Sequence, residues 1–259
     1  VGLQSQCAIV AVVVPAVWHI GAMKTVLLLP GLACDEALFQ DQIPALAARH
    51  PGQRVHVGDV HTRAATLPAM AALLLKEQPG DLVLVGCSMG GMLALEVLRQ
   101  APARVRGIAL LGSTARPDTP ELIALRSQAC ELFAAGRMDE VLRANVLFAF
   151  HPDHAGDRAL VQRYLAMIRR AGAQQLIAQN RAVMAREDMR PLLPQIACPA
   201  LVVCGECDGL TPPERAHEMA DAIPGARLEI VPGAGHMLTM EQPARVTALL
   251  LEWLGEIGV

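Results

Sequence analysis

Residues 81–91 read Asp81-Leu82-Val83-Leu84-Val85-Gly86-Cys87-Ser88-Met89-Gly90-Gly91, an apolar run of strand type, a G-x-S-x-G turn, and a helical pattern that opens near Met89 and stops ahead of Pro102. The turn's composition has a chemical reason. A serine set between a strand and a helix sits in a strained turn, where a side chain at Gly86 or Gly90 would collide with the neighbouring strand or helix. The strain exposes the serine Oγ. It also aims the helix N-terminus at the reacting centre, so that the backbone N–H of Met89 can donate to negative charge developing on a carbonyl oxygen. Ser88 is therefore a candidate nucleophile and the Met89 amide a candidate oxyanion donor.

Outward from this segment, short apolar runs alternate with helical patterns, the signature of βαβ units around a buried, mostly parallel sheet. Strands are expected near 24–29, 53–57, 81–85, 106–111, 200–204 and 227–231. Helices are expected over 66–78, 89–101, 213–222 and 240–255. From Pro117 to Leu193 the strand signal vanishes and Val161, Tyr164, Leu165 and Ile168 follow helical spacing. The plan is an α/β core over 23–116 and 194–259, with helices on both sheet faces, interrupted by a helical insertion over 117–193. Residues 1–22 precede the first core strand and read as an extension, or as an added edge strand at Ala8–Val14. The apolar run from Ala8 to Val17 is about half the roughly 20 residues that cross a bilayer. No Lys or Arg precedes Lys24, so the start lacks the charged region of a secretory signal.

Composition bounds the partners. At 53% hydrophobic and 18% charged, the chain has ample material for a core, and 259 residues suit one large α/β domain. A net charge of −3 and 3% aromatic residues offer neither the basic footprint nor the stacking platforms that nucleic acid requires. Seven cysteines leave one unpaired and argue against a disulfide scaffold, which fits a reducing cytoplasm.

A nucleophilic serine needs a base. Of eight histidines, His236 alone follows a predicted strand in a glycine-rich loop, Pro232-Gly233-Ala234-Gly235-His236, that can bring backbone and imidazole close to another loop. Asp208, in Cys204-Gly205-Glu206-Cys207-Asp208-Gly209, lies at the carboxyl end of the preceding strand and suits the carboxylate that fixes the imidazole tautomer. Glu206 is a weaker candidate for that place. Ser88, Asp208 and His236 all fall at strand carboxyl ends, where open α/β sheets carry their sites.

The three motifs, in this order and setting, resemble the serine α/β-hydrolase superfamily from Lys24 to the C-terminus. The Gly-Cys-Ser-Met-Gly-Gly turn is similar to those of small carboxylesterases, enol-lactonases and carbon–carbon bond hydrolases. The resemblance implies an α/β-hydrolase fold with a helical cap at 117–193. It implies a carboxylic ester hydrolase acting through an acyl-enzyme, with a lactonase, a C–C bond hydrolase or a catalytically silent binding protein as alternatives. It further implies a second oxyanion donor, the backbone N–H of Leu32 in Leu29-Pro30-Gly31-Leu32. The superfamily often has histidine where Pro30 stands, but the donor is a main-chain group. Small-molecule esters or lactones are the implied substrates, with no cofactor.

Other features read as neutral. Cys204-x-x-Cys207 lacks a second ligand pair and is expected to be two incidental thiols. No ligand spacing suggests a metal. Cys87 precedes Ser88 and Cys34 follows the Leu32 loop, so either could make the protein sensitive to thiol reagents without taking part in catalysis. Residues 158–190 carry seven arginines against Glu187 and Asp188, a local +5. That excess is either a solvated helix face or a recognition surface for an anionic substrate or acyl-carrier partner.

Overall fold

A computed structural model of the chain describes residues 24–49 and 54–259. The extension at 1–22 and the strand considered at Ala8–Val14 lie outside the described residues.

Six strands form one sheet: β1 (Thr25–Leu29), β2 (Arg54–Val57), β3 (Leu82–Cys87), β4 (Val105–Leu111), β5 (Ala200–Gly205) and β6 (Arg227–Val231). Their order is β2-β1-β3-β4-β5-β6, and every neighbouring pair is parallel. The near-continuous apolar strands reflect burial on both faces. Val26, Leu28, Val83, Val85, Ala109, Leu111, Leu201 and Val203 point to one core. The alternate residues Leu27, Leu29, Leu82, Leu84, Ile108, Leu110, Val202 and Cys204 point to the other. Helix α9 (Pro243–Glu256) covers the first face with Val246, Leu250 and Trp253. Helices α2 (Leu67–Glu77), α3 (Met89–Gln100) and α7 (Pro213–Ala222) cover the second. This is the α/β-hydrolase fold.

Three details depart from the sequence reading. Strand β3 runs on to Cys87, directly against Ser88. A seven-residue helix, α1 (Ile43–Arg49), was not expected, since Ile43 and Leu46 give too few turns for a periodic signal. The helix expected over 240–255 is two, α8 (Leu238–Glu241) and α9, because Pro243 disfavours helical backbone at Gln242.

The connection from β4 to β5 holds three helices: α4 (Pro120–Ala134), α5 (Met138–Ala149) and α6 (Arg158–Met184). Gly172, at φ 77° and ψ 171°, bends α6 into two halves. Among the described residues no helix is long and apolar enough to cross a membrane.

Candidate active site

Ser88 stands between β3 and α3 at φ 54° and ψ −117°, a sparsely populated backbone region at positive φ that costs about 1–3 kcal/mol. The surrounding glycines make this backbone possible. A Cβ on Gly86 would overlap the Gly90 carbonyl, and one on Gly90 would overlap the Leu29 carbonyl of β1. The elbow is further tied down by Ser88 N donating to Leu111 O at 2.8 Å and by Ser113 Oγ donating to Ser88 O at 2.8 Å.

The loops after β5 and β6 bring the other two groups to it. His236 Nε2 lies 2.9 Å from Ser88 Oγ, and His236 Nδ1 lies 2.8 Å from Asp208 Oδ2. The carboxylate accepts only, so the ring proton sits on Nδ1 and the Nε2 lone pair receives the serine hydroxyl. Asp208 and His236 are 2% and 6% exposed. Burial alone would raise the Asp208 pKa. His236 beside it and the N–H groups of Thr211 and Leu210 outweigh that and hold the carboxyl below its ordinary value. Oδ1 accepts from Leu210 N at 2.9 Å and Thr211 N at 2.8 Å, while Oδ2 accepts from the Thr211 hydroxyl at 2.9 Å. Glu206 takes no part; its carboxylate accepts from Gly233 N.

The loop after β1 lies against the elbow: a Cβ on Gly31 would stand 3.4 Å from Ser88 Cβ. Neither the Leu32 nor the Met89 N–H has an acceptor among the described residues. The arrangement can activate a hydroxyl nucleophile and offers two unused main-chain donors beside it.

Several residues that shape this site carried no expectation. Thr211 was legible, since an aspartate accepting from the N–H groups two and three residues on is a common local turn. Gly112, at φ 49°, leaves room for Asp208: its Cβ would meet Oδ2 at 3.1 Å. The buried Glu241 accepts from Gly235 N at 2.9 Å and His151 N at 2.7 Å, joining the histidine loop to the segment after α5. The last carbonyls of α5, which have no partner in the helix, accept from the site loops: Gly209 N reaches Phe148 O and Met237 N reaches Ala149 O. Gln179 of α6 accepts from Ala33 N at 2.6 Å.

The thiol expectation is corrected. Cys34 and Cys87 are both buried; burial pushes the Cys34 thiol well up and takes Cys87 to about 12, so neither supplies reactive thiolate. Cys204 is buried in β5, whereas Cys207 is exposed, and both are free thiols. His151, Glu206 and Cys207 bring ligand atoms within 4.8 Å of one another at the surface, a grouping that spacing along the chain could not reveal. The arginine excess is largely cancelled: Arg163, Arg169, Arg170, Arg186 and Arg190 pair with Asp41, Asp139, Asp35, Asp118 and Asp188.

The alpha/beta hydrolase family model matches residues 13–249. The chain belongs to the alpha/beta hydrolase family. Among relatives of this alpha/beta hydrolase, a pimeloyl-[acyl-carrier protein] methyl ester esterase from Neisseria meningitidis is 28% identical over 246 residues, covering 90% of this chain and 93% of that protein. A thermophilic esterase from Thermogutta terrifontis superposes with a TM-score of 0.81 at 29% identity, covering 91% of this chain and 90% of that one. The enol-lactonase of Burkholderia xenovorans LB400 superposes at 0.78 with 24% identity, over 92% of this chain and 94% of that one, a likeness of fold.

Proposed function

We propose that this alpha/beta hydrolase is a serine carboxylic ester hydrolase working through an acyl-enzyme. The observation that carries the reading is the 2.9 Å approach of His236 Nε2 to Ser88 Oγ on a strained elbow, with Asp208 behind the imidazole. Ser88 attacks the ester carbonyl as His236 takes its proton. The N–H groups of Leu32 and Met89 receive the oxyanion. His236 then gives the proton to the leaving alcohol, and water repeats the attack on the acyl-enzyme to release the acid.

Residues 117–193 act as a cap over this centre, supported by the contacts of α5 with Gly209 and Met237 and of α6 with Ala33. A methyl ester borne on an acyl carrier is the substrate class we favour. The name of the Neisseria relative supports it, as do Arg143 and Arg158, which line a surface groove with Val146, Leu147 and Leu165. Neither arginine has an ion-pair partner among the described residues.

Labelling by a fluorophosphonate, together with turnover of free and carrier-borne methyl esters, tests both levels. Ser88→Ala is expected to lose labelling and to lower turnover by about 10⁵- to 10⁶-fold. Near-full turnover in that variant overturns the mechanism. Equal kcat/KM for free and carrier-borne esters overturns the substrate class alone.

A further inference from the structure

We propose that His151, Glu206 and Cys207 bind a divalent cation of the zinc class, in a site that joins the insertion to the loop after β5 and takes no ligand from Ser88, Asp208 or His236.

Each of the three residues brings one ligand atom within 4.8 Å of the other two. His151 Nε2 faces Glu206 Oε1 at 3.6 Å. A tetrahedral zinc ion, with bonds of about 2.0–2.3 Å to nitrogen, oxygen and sulfur, sets its ligand atoms about 3.3–3.8 Å apart. The histidine and the carboxylate already have that spacing, and the widest gap in the trio closes with about 1 Å of side-chain movement. Glu206 and Cys207 are exposed, so their side chains are free to make it. The backbones that carry the ligands are fixed. His151 N donates to the buried Glu241 at 2.7 Å, Glu206 N to Val231 O at 3.1 Å and Cys207 N to Ala234 O at 3.0 Å.

The groups around the trio suit coordination. Glu206 Oε1 accepts from Gly233 N at 2.7 Å, which orients the carboxylate and leaves its remaining lone pairs for a metal. On the far side of the imidazole, Nδ1 lies 3.2 Å from Asp153 N and 3.7 Å from Asp153 Oδ2. A metal on Nε2 puts the ring proton on Nδ1, and the exposed Asp153 carboxylate then becomes its acceptor, the outer partner that metal-bound histidines ordinarily have.

Charge and ligand type select the ion. The Glu206 carboxylate and a Cys207 thiolate together carry two negative charges, which a dication neutralises; the thiol proton leaves to solvent as the metal binds. One nitrogen, one oxygen and one sulfur favour zinc over magnesium or calcium, which take oxygen ligands, and three protein ligands leave a fourth position to water. His151 belongs to the insertion whereas Glu206 and Cys207 follow β5, so the ion ties two segments that only folding brings together. It therefore binds the folded chain in preference to the unfolded one and stabilises it.

Cobalt reports such a site, because a thiolate on Co²⁺ gives a charge-transfer absorption and tetrahedral Co²⁺ gives strong visible bands. Titration of the full chain with Co²⁺ is expected to produce both at one equivalent, and Zn²⁺ but not Mg²⁺ to abolish them. Cys207→Ser is expected to remove the thiolate absorption, and Cys207→Ser and His151→Gln each to weaken Zn²⁺ binding at least about tenfold. Absence of the thiolate absorption, displacement by Mg²⁺, or unchanged Zn²⁺ affinity in either variant overturns the proposal. Ser88→Ala is expected to bind the metal as the wild type does; loss of the signal there places the ion at the serine and overturns the assignment.

Two measurements on the wild type need no variant. Saturating Zn²⁺ is expected to slow alkylation of Cys207 at least about tenfold, since the coordinated sulfur is no longer a free nucleophile. Zn²⁺ at about 100 times its Kd is expected to raise Tm by about 5 °C. An unchanged alkylation rate or an unchanged Tm under these conditions overturns the proposal.

Discussion

Replacing Asp208 by asparagine changes one atom, and the hydrogen bonds around it dictate where that atom goes. Oδ1 accepts from two backbone N–H groups, of Leu210 and Thr211, which cannot become acceptors. The asparagine carbonyl oxygen therefore occupies the Oδ1 place, 3.0 Å from His236 Nδ1, and its NH₂ the nearer Oδ2 place, 2.8 Å from the same nitrogen. An N–H there donates to Nδ1 and drives the ring proton to Nε2, which then faces Ser88 Oγ as a donor. A protonated Nε2 cannot take the serine proton, so the base is lost while the geometry stays. The expected fall in kcat/KM is about 10⁴-fold, which at about 1.36 kcal/mol per decade is about 5.4 kcal/mol of transition-state stabilisation. Thr211→Val is the control: it deletes one hydrogen bond to the same carboxylate but leaves the tautomer, and should cost far less. Hydrolysis of a p-nitrophenyl ester reports both. A folded Asp208→Asn protein within about tenfold of wild type would refute the tautomer argument.

Three further outcomes are expected. The folded state holds the Asp208 carboxyl below its ordinary value, so the unfolded chain binds that proton more readily. The stability it contributes is full above about pH 5 and is lost as pH falls through the folded value, which urea unfolding should show as a gap between wild type and Asp208→Asn that closes on the acid side. Arg169 and Arg170 are already paired with Asp139 and Asp35, so Arg169→Ala/Arg170→Ala should leave the salt dependence of kcat/KM for a carboxylate-bearing ester unchanged, and a lost preference would restore the recognition role. In the native protein an alkylating reagent should modify Cys207 while sparing Cys34 and Cys87, read by peptide mass mapping; rapid loss of either buried thiol would contradict the packing described.

The core and the candidate site were legible because they are written in local pattern. Apolar runs bounded by turn residues marked β1 to β6, and the glycines at 86 and 90 are required by contacts that any side chain would violate. Asp208 and His236 stood out because each follows a strand by a few residues. What escaped notice depends on partners far along the chain. Nothing around Gln179 signals that its amide meets Ala33, and nothing around Glu241 signals Gly235 and His151. The arginine count left two readings open for the same reason. Four of the five paired arginines find their carboxylates at 35, 41, 118 and 139, outside residues 158–190.

The end of α5 has a consequence for recombining members of this fold. The insertion begins and ends on neighbouring strands, so its sequence looks exchangeable as a cassette. Yet Phe148 and Ala149 lend their helix-end carbonyls to Gly209 and Met237, the neighbours of Asp208 and His236. A transplanted cassette that ends one turn short would leave those two loop amides unmet, and the damage would surface as a displaced Asp208 and His236 rather than as altered substrate choice. Chimeras should therefore be joined with residues 148–151 retained from the recipient, so that selectivity is exchanged while the machinery beneath keeps its own acceptors.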